Sequence, residues 1–379
     1  MNIGIVCYAS VGGSGVVATE LAAALALRGH DVHVLSTEVP FRLKDQPHLR
    51  FHRVETPAYP LFREPQYVLS LANKIVQVSH AQALDVVHAH YAIPHAAAAY
   101  LARQIIADSG APVPRIVTTL HGTDITIVGS DPSYTETVAY CIDQSDAVTA
   151  VSESLRADTY RALRVKRPIQ VIPNFLDCEV HRRRPAPELR EQLLRGADHL
   201  VVHMSNFRPV KRLEAVVEIF RHIRERVHAR LLLVGDGPDA HLAAERLRSA
   251  GLMGEAEFLG EQLDIVTLLS VADLFLLPSA QESFGLAALE AMACEVPVVA
   301  SNVGGLPEVI EHGRTGFLHP KDDLRAMADS GVRLLQDPEL HARIAREARL
   351  HVAERFCTDV VVPRYEACYQ ELLDAVARR

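Results

Sequence analysis

The sequence predicts an α/β protein built from two Rossmann-like domains. Short apolar runs typical of buried parallel strands alternate with helical stretches, and this rhythm occurs twice along the chain. The 379 residues are also about twice what one ordinary domain holds. We therefore expect two similar halves, each with a parallel sheet.

The first half opens on a strand, a glycine-rich turn, a helix and a second strand. Ile3–Cys7 is an apolar run, Val16–Leu27 is rich in alanine, and Val32–Leu35 predicts the next strand. Later strand patterns at 85–90, 115–120 and 147–151 end in polar residues. Because open α/β folds bind ligands at the carboxyl edge of the sheet, we expect a site at these ends.

A second series of strand patterns fills the other half, at residues 200–204, 229–234, 257–260, 274–278 and 297–300. A basic, proline-bearing segment from His181 to Pro187 has no apolar period and lies just after the changeover, so the linker is expected near residues 171–190. We expect an N-terminal acceptor domain over 1–170, a donor domain over 171–357, and a C-terminal helix over 358–379 that packs back on the first domain. The active site is expected in a cleft between the two sheet edges.

Charge and composition exclude several classes of partner. The net charge of -8 comes from 47 acidic and 39 basic residues without a long block of one sign, so no nucleic acid or anionic membrane is expected as a partner. Neither a signal-peptide pattern nor a long apolar span is found, which predicts a cytoplasmic protein. The oligomeric state is left open, a homodimer included.

Cysteine and histidine patterns do not predict a metal centre. The six cysteines contain no CxxC pair, so reduced and mostly buried thiols are expected. His88 and His90 share a strand face and His95 follows, but no cysteine or carboxylate lies close by at ligand spacing. We expect packed histidines, no metal and no cofactor. His121, followed by Gly122 after a buried strand, is the better candidate for touching a substrate.

The glycine turn of the first half leaves two chemistries open. Its amides precede a helix and are able to cradle a phosphate. Gly13-x-Gly15-x-x-Ala18 also meets the dinucleotide fingerprint, and Glu38 lies near the end of the second predicted strand, where a ribose-binding acid is expected. An NAD-dependent dehydrogenase is therefore one alternative. A non-catalytic nucleotide-sugar sensor is another.

The strongest site pattern in the second half is a loop that runs into a helix. The loop carries Glu282, and good helix formers begin near Gly285, so the amides of Phe284, Gly285 and Leu286 point at an anion. Glu290 lies among apolar residues of that helix, where a carboxylate is costly to bury. Either Glu290 has a function or it lies on a solvated stripe.

A second pattern places basic residues between a strand and a helix. Arg208 and Lys211 follow Asn206 at the end of a predicted strand, just before the next helix. Cations at a helix N-terminus oppose the helix dipole, so a functional reason is favoured. Together they are able to neutralise a diphosphate without a metal.

The spacing Glu282-x7-Glu290, combined with Asn206-Phe207-Arg208-x-x-Lys211, resembles the retaining family 4 glycosyltransferases of the GT-B fold. The glycine turn at 12–15, the 171–174 linker and residues 303–308 are similar to that family too, although Phe175 replaces the commoner glycine. This resemblance implies two Rossmann-like domains that face each other across a cleft.

The resemblance also implies residue roles. It assigns Glu290 to the donor ribose, Glu282 to the sugar hydroxyls, and Arg208 with Lys211 to the diphosphate. His121 would orient the sugar. The implied catalytic residues are His121, Arg208, Lys211 and Glu282; the implied donor contacts are Gly13, Asn206, Arg208, Lys211, Glu282, Phe284, Gly285, Leu286 and Glu290.

Within the family, residues 7–21, 39–43, 88–95 and 118–126 are most similar to members that join N-acetylglucosamine to L-malate in bacillithiol biosynthesis. This implies UDP-N-acetylglucosamine and L-malate as partners. Because malate carries two carboxylates, its pocket needs cations or clustered donors in the first domain. Ser14, Tyr91 and Thr123 are the acceptor candidates, with Arg42 or Arg63 as candidate charge partners. A family 4 enzyme with a sugar or lipid acceptor is the first alternative.

Overall fold

The computed structural model describes residues 1–9, 12–57, 66–125, 129 and 131–377, and it divides the chain into two compact units. Unit 1 comprises Met1–Phe175 and Thr358–Arg379, and unit 2 comprises Leu176–Cys357. Each unit is a parallel sheet with helices, which confirms the predicted fold class. In the described ranges no helix has both the length and the apolar character needed to cross a membrane.

Unit 1 contains a seven-stranded parallel sheet in the order β3-β2-β1-β4-β5-β6-β7. Its central strands are buried on both faces, as expected of parallel strands covered by helices. The strands are β1 Asn2–Val6, β2 Asp31–Ser36, β3 Leu49–Arg53, β4 Val86–His90, β5 Arg115–Leu120, β6 Ala147–Ala150 and β7 Ile169–Val171; the helices are α1 Gly13–Leu27, α2 Tyr67–Gln82, α3 Ala97–Asp108, α4 Thr135–Gln144 and α5 Glu153–Ala162.

Unit 2 contains a six-stranded parallel sheet in the order β10-β9-β8-β11-β12-β13. Its core includes Phe220, Leu231 and Leu274, all fully buried. The strands are β8 His199–Met204, β9 Ala229–Val234, β10 Ala256–Gly260, β11 Leu274–Leu277, β12 Val298–Ser301 and β13 Phe317–His319; the helices are α6 Pro187–Leu194, α7 Leu213–Arg224, α8 Ala240–Ser249, α9 Ile265–Val271, α10 Leu286–Ala293, α11 Leu306–Val309, α12 Leu324–Gln336 and α13 Pro338–Arg355.

The last helix, α14 (Thr358–Ala377), belongs to unit 1. Its buried Tyr369 hydroxyl lies 2.7 Å from Nδ1 of His88 on β4. On the surface, Glu366 of α14 pairs with Arg28 at 2.8 Å. Unit 1 is therefore assembled from two separate stretches of the chain.

Unit 2, in contrast, is continuous, and its two ends are joined. Cys178 and Cys357 form a disulfide with Cα atoms 5.5 Å apart, so the expectation of reduced thiols is wrong for this pair. Nearby, the N–H of Leu176 donates to the carbonyl of Phe356 at 3.0 Å. The pair is 179 residues apart in sequence, a separation that leaves no local spacing pattern to detect. The other cysteines, Cys7, Cys141, Cys294 and Cys368, are buried and free.

Candidate functional site

The predicted acceptor residues of unit 1 form one hydrogen-bonded chain. They follow β1, β4 and β5, which are adjacent in the sheet. Thr123 Oγ1 donates to the Tyr91 hydroxyl at 3.2 Å, and the Tyr91 hydroxyl donates to Ser14 Oγ at 2.9 Å. Tyr91 has a φ of 93°, which is rare for a residue other than glycine and often marks a functional site.

His121 lies beside this chain. Its ring centroid is 5.2 Å from that of Tyr91, and its Nε2 is 2.8 Å from Nδ1 of His90. Burial lowers the pKa of His121 to about 3, so its imidazole is neutral at physiological pH. The structure therefore brings His121, Ser14, Tyr91 and Thr123 together. Gly13 is the first residue of α1, whose N-terminus has no side-chain cap.

Asp124 and Tyr8 contribute to this edge although neither was predicted. The buried Asp124 carboxylate accepts from the backbone N–H of Gly122 at 2.9 Å and of Ala92 at 3.3 Å, so it ties together the turns after β5 and β4. Burial raises its pKa to about 6. Tyr8, which is 41% exposed, packs edge-on against Tyr91 with centroids 5.6 Å apart. An aspartate two residues after a glycine turn was the available sequence signal for Asp124.

The remaining histidines of this region are hydrogen-bonded. His88 and His90 share a strand face as predicted, and their rings stack with centroids 4.4 Å apart. His88 bonds to Tyr369 and to Thr119, both at 2.7 Å. Throughout the part of the chain that the structure describes, no group of three His, Cys, Asp or Glu side chains is arranged to hold a metal ion.

In unit 2, two predicted donor residues meet directly. Lys211 lies in a 3₁₀ turn after β8, and Glu282 follows β11, the neighbouring strand. Lys211 Nζ lies 2.5 Å from Glu282 Oε1, which also accepts from Ser279 Oγ at 2.8 Å. A cation and an acid expected to bind different parts of one donor are thus paired with each other.

The loop of Glu282 leads to an uncapped helix start. Helix α10 begins at Leu286, and its N-cap Gly285 has a φ of 99° and provides no side-chain cap. A Cβ on Gly304 would overlap the carbonyl oxygen of Glu282, and the N–H of Gly305 donates to that oxygen at 2.9 Å. The loop is therefore held by backbone contacts. Phe284 is buried edge-on against Phe356.

Glu290 is buried, so the solvated-stripe alternative is wrong. Its exposure is only 5%, because α10 packs against α13 and is covered on every side from Ala288 to Ala293. Its Oε1 lies 3.8 Å from Nε2 of His181, which is also buried. A carboxylate kept in so apolar a helix is costly to bury, which favours a functional reason.

Asn206 and Arg208 are exposed on the loop after β8. Among the described residues, Arg208 makes no ion pair. A Cβ on Gly235 would overlap the carbonyl oxygen of Ser205, and one on Gly237 would overlap that of Asn206. These glycines therefore allow close packing beneath the Asn206 loop.

Other candidates lie elsewhere or outside the described residues. Arg42 pairs with Glu20 at 3.9 Å, and Glu38 is exposed. Arg63 falls outside the described residues.

Two family models match the chain, "Glycosyltransferase Family 4" over residues 11–180 and "Glycosyl transferases group 1" over residues 186–351. The Bacillus anthracis protein named N-acetyl-alpha-D-glucosaminyl L-malate synthase is 45% identical over 98% of this chain and 97% of its own length. Sucrose-phosphate synthase from Thermosynechococcus elongatus has a similar structure, with a TM-score of 0.79, 24% identity and 99% coverage of both chains.

Anabaena Alr3699/HepE, solved in complex with UDP and glucose, has a TM-score of 0.80 and 21% identity, covering 98% of this chain and 100% of its own. These solved structures share the GT-B fold predicted for this chain. The full-length similarity to the Bacillus anthracis enzyme, together with both family models, shows that the chain belongs to glycosyltransferase family 4.

Proposed function

We propose that this protein transfers N-acetylglucosamine from UDP-N-acetylglucosamine to the hydroxyl of L-malate, with retention of the anomeric configuration and without a metal ion. The observation that carries the proposal is the 45% identity, over nearly the full length, to the Bacillus anthracis synthase. The reaction would be the first step of bacillithiol biosynthesis.

The donor residues act on the leaving group in this proposal. Arg208, Lys211 and the amides around Gly285 stabilise the negative charge that develops on the diphosphate as the bond from C1 to the phosphate oxygen breaks. Glu290 accepts hydrogen bonds from the ribose hydroxyls. Lys211 leaves its ion pair with Glu282 to bind the diphosphate, and Glu282 then accepts hydrogen bonds from the sugar hydroxyls. The other proposed donor contacts are Gly13, Asn206, Phe284 and Leu286.

The acceptor chemistry requires one new bond and one proton transfer. The malate hydroxyl oxygen bonds to C1 on the face from which UDP departs, and its proton passes to the departing phosphate oxygen. Ser14, Tyr91 and Thr123 offer hydroxyl groups to the acceptor. Neutral His121 orients the sugar by a hydrogen bond, because an imidazole with so low a pKa holds no second proton to give.

The test is turnover of UDP-N-acetylglucosamine with L-malate, D-malate, lactate, glycerol and a sugar, followed by mass detection of the product. L-malate should exceed lactate by a factor of roughly 10⁴ in kcat/KM, because a site built to bind two carboxylates leaves donors unpaired when one is missing. A much better sugar or lipid acceptor would identify a different family 4 transferase.

Two further arms of the same assay complete the test. Activity should survive EDTA, and loss of turnover that magnesium or manganese restores would contradict the metal-free mechanism. Failure to bind NAD would exclude the dehydrogenase alternative. Release of UDP during turnover would exclude the non-catalytic sensor. Light scattering of the same sample measures whether the protein is a homodimer.

A further inference from the structure

His90 has an unusual set of contacts for a buried histidine. It is 1% exposed at the end of β4, between the rings of His88 and His121, with centroid distances of 4.4 and 5.1 Å. Its Nδ1 lies 2.8 Å from Nε2 of His121. Its Nε2 is buried and has no hydrogen-bond partner among the described residues.

Only one proton lies between the two rings. Burial lowers the pKa of both imidazoles, so each is neutral and carries a single N–H. Either His90 donates from Nδ1 to His121 Nε2, or His121 donates from Nε2 to His90 Nδ1. The second arrangement puts the proton of His90 on Nε2, where it would be a buried donor without an acceptor.

The first arrangement is favoured, because a buried N–H without an acceptor is rarer in proteins than an acceptor without a donor. It leaves only a lone pair at Nε2 of His90. It also fixes the proton of His121 on Nδ1, the nitrogen that does not face His90. We propose that His90 is a positioning residue that holds His121 as the Nδ1–H tautomer, so that His121 offers a neutral donor to a substrate oxygen.

This inference rests on the proposed function for the role of His121 in catalysis, but the tautomer itself does not. The consequence for chemistry is specific. An Nδ1–H donor is able to bond to a sugar hydroxyl or a phosphate oxygen, whereas the other tautomer would present a lone pair that repels a phosphate oxygen. Around metal ions, loss of the partner that fixes a histidine tautomer changes metal affinity or activity about 10- to 100-fold, and we adopt that range for His121.

The direct test is spectroscopic and needs no turnover. Long-range ¹H–¹⁵N correlation spectra of histidine-labelled protein distinguish the two tautomers, and the His121 signals are those missing from His121→Asn. We expect His121 to be protonated on Nδ1. A proton on Nε2 of His121 in the wild-type protein would overturn the proposal, whatever reaction the enzyme catalyses.

Two variants of His90 test the function of that tautomer. In His90→Asn the side-chain amide takes the place of Nδ1, and in His90→Gln it takes the place of Nε2, so only the first keeps a donor toward His121. We expect His90→Gln to lower kcat about 10- to 100-fold and to shift His121 away from Nδ1–H. His90→Asn should keep at least about ten-fold more kcat than His90→Gln.

His88→Gln is the matched control, because His88 lies on the same strand face but bonds to Tyr369 and Thr119. It should leave the His121 tautomer unchanged even if it lowers the melting temperature. Equal kcat in His90→Asn and His90→Gln, with His121 on Nδ1 in the wild type, would overturn the catalytic part of the proposal. That result would leave the proposed transferase reaction intact.

Discussion

The candidate residues of the two units use different chemistry. In unit 1, Thr123, Tyr91 and Ser14 are neutral hydroxyl groups that bond to one another, and the adjacent His121 is neutral as well. In unit 2, the central contact is the ion pair between Lys211 and Glu282 beside an uncapped helix start. Unit 2 is therefore suited to an anion, and unit 1 to groups that exchange hydrogen bonds.

The two ends of each unit are also linked in different ways. Unit 1 is completed by α14, which returns from the end of the chain and binds through Tyr369 and Glu366. Unit 2 is closed at its ends by the Cys178–Cys357 disulfide. One unit thus depends on noncovalent contacts across the sequence, whereas the other has a covalent link.

The largest effect on activity is expected from removing the cation of the Lys211–Glu282 pair in unit 2. Lys211→Ala should lower kcat/KM by about 10²–10³, because it removes a cation proposed to bind the diphosphate and leaves Glu282 without its ion-pair partner. Steady-state kinetics and calorimetry with UDP measure this change. Arg246→Ala removes a cation of α8 that pairs with Glu214 and should have no effect on turnover. Wild-type kcat/KM in Lys211→Ala would exclude Lys211 from the donor site.

The covalent closure of unit 2 gives the next effect. Reduction of the disulfide should lower the stability of unit 2 by about 2–4 kcal/mol, because the unfolded loop between the cysteines gains freedom. Hydrogen exchange resolved by mass spectrometry should show the loss in residues 176–357 and little change in unit 1. The double variant Cys178→Ser with Cys357→Ser should not respond to reductant. Free thiols at both positions in protein prepared without reductant would contradict the disulfide.

Glu290→Gln tests the buried acid of unit 2. UDP binding should weaken by about 1.5–3 kcal/mol, because the proposed anionic acceptor of the ribose hydroxyls becomes a neutral amide. Calorimetry with UDP measures the loss, and Glu354→Gln on the exposed face of α13 is the control. Unchanged UDP affinity would remove Glu290 from the donor site and leave its contact with His181 as its role.

The sequence predicted the buried strands better than the edges. β1, β4 and β5 are buried along nearly their whole length, and their buried-strand patterns were recognised from the sequence. β3 alternates charged and apolar residues and is only half-buried, whereas β7 and β13 have three residues each, too few for a period to be detected. Short edge strands bury little surface, so their sequences carry little signal.

For the candidate site, sequence reasoning identified residues but not their partners. The polar ends of the strand patterns predicted a site at this edge of the sheet, and Tyr91 and His121 were both candidates for it. The Lys211–Glu282 pair and the burial of Glu290 depend on how loops and helices pack, which local spacing does not encode. The contact between His90 and His121 was missed for a related reason. A histidine on a buried strand is predicted to be a core residue, and its hydrogen-bond partners are known only from the positions of its ring nitrogens.

Acid should destabilise unit 1 more than unit 2. Burial lowers the pKa of His33 to about 4, of His88 to about 3 and of His95 to about 4 in unit 1, and of His203 to about 4 in unit 2. Below pH 6.5 these histidines become protonated in the unfolded chain but stay neutral in the folded protein. Each therefore removes about 1.4 kcal/mol of stability per pH unit as the pH falls toward its folded pKa.

Asp124 acts in the opposite direction, because its folded pKa is raised to about 6 and its stabilising contribution grows as the pH falls below that value. Unit 1 still has more of these buried histidines than unit 2 among the described residues. Hydrogen exchange at pH 7 and pH 5 should show the greater loss of protection in unit 1. Equal loss in both units, or greater loss in unit 2, would contradict this difference.

The smallest effect is expected in the neutral chain of unit 1. Tyr91→Phe removes a hydroxyl that accepts from Thr123 and donates to Ser14. In the proposed complex it also removes one neutral hydrogen bond to the acceptor, and such a loss costs about 0.5–1.5 kcal/mol. KM for the acceptor should therefore rise by about 2- to 12-fold while UDP affinity stays the same. Tyr100→Phe removes a hydroxyl that bonds to Tyr140 at 2.8 Å on the surface and is the matched control. A change confined to UDP affinity would assign Tyr91 to donor binding. The proposed contrast between a neutral acceptor site in unit 1 and a charged donor site in unit 2 would then be wrong.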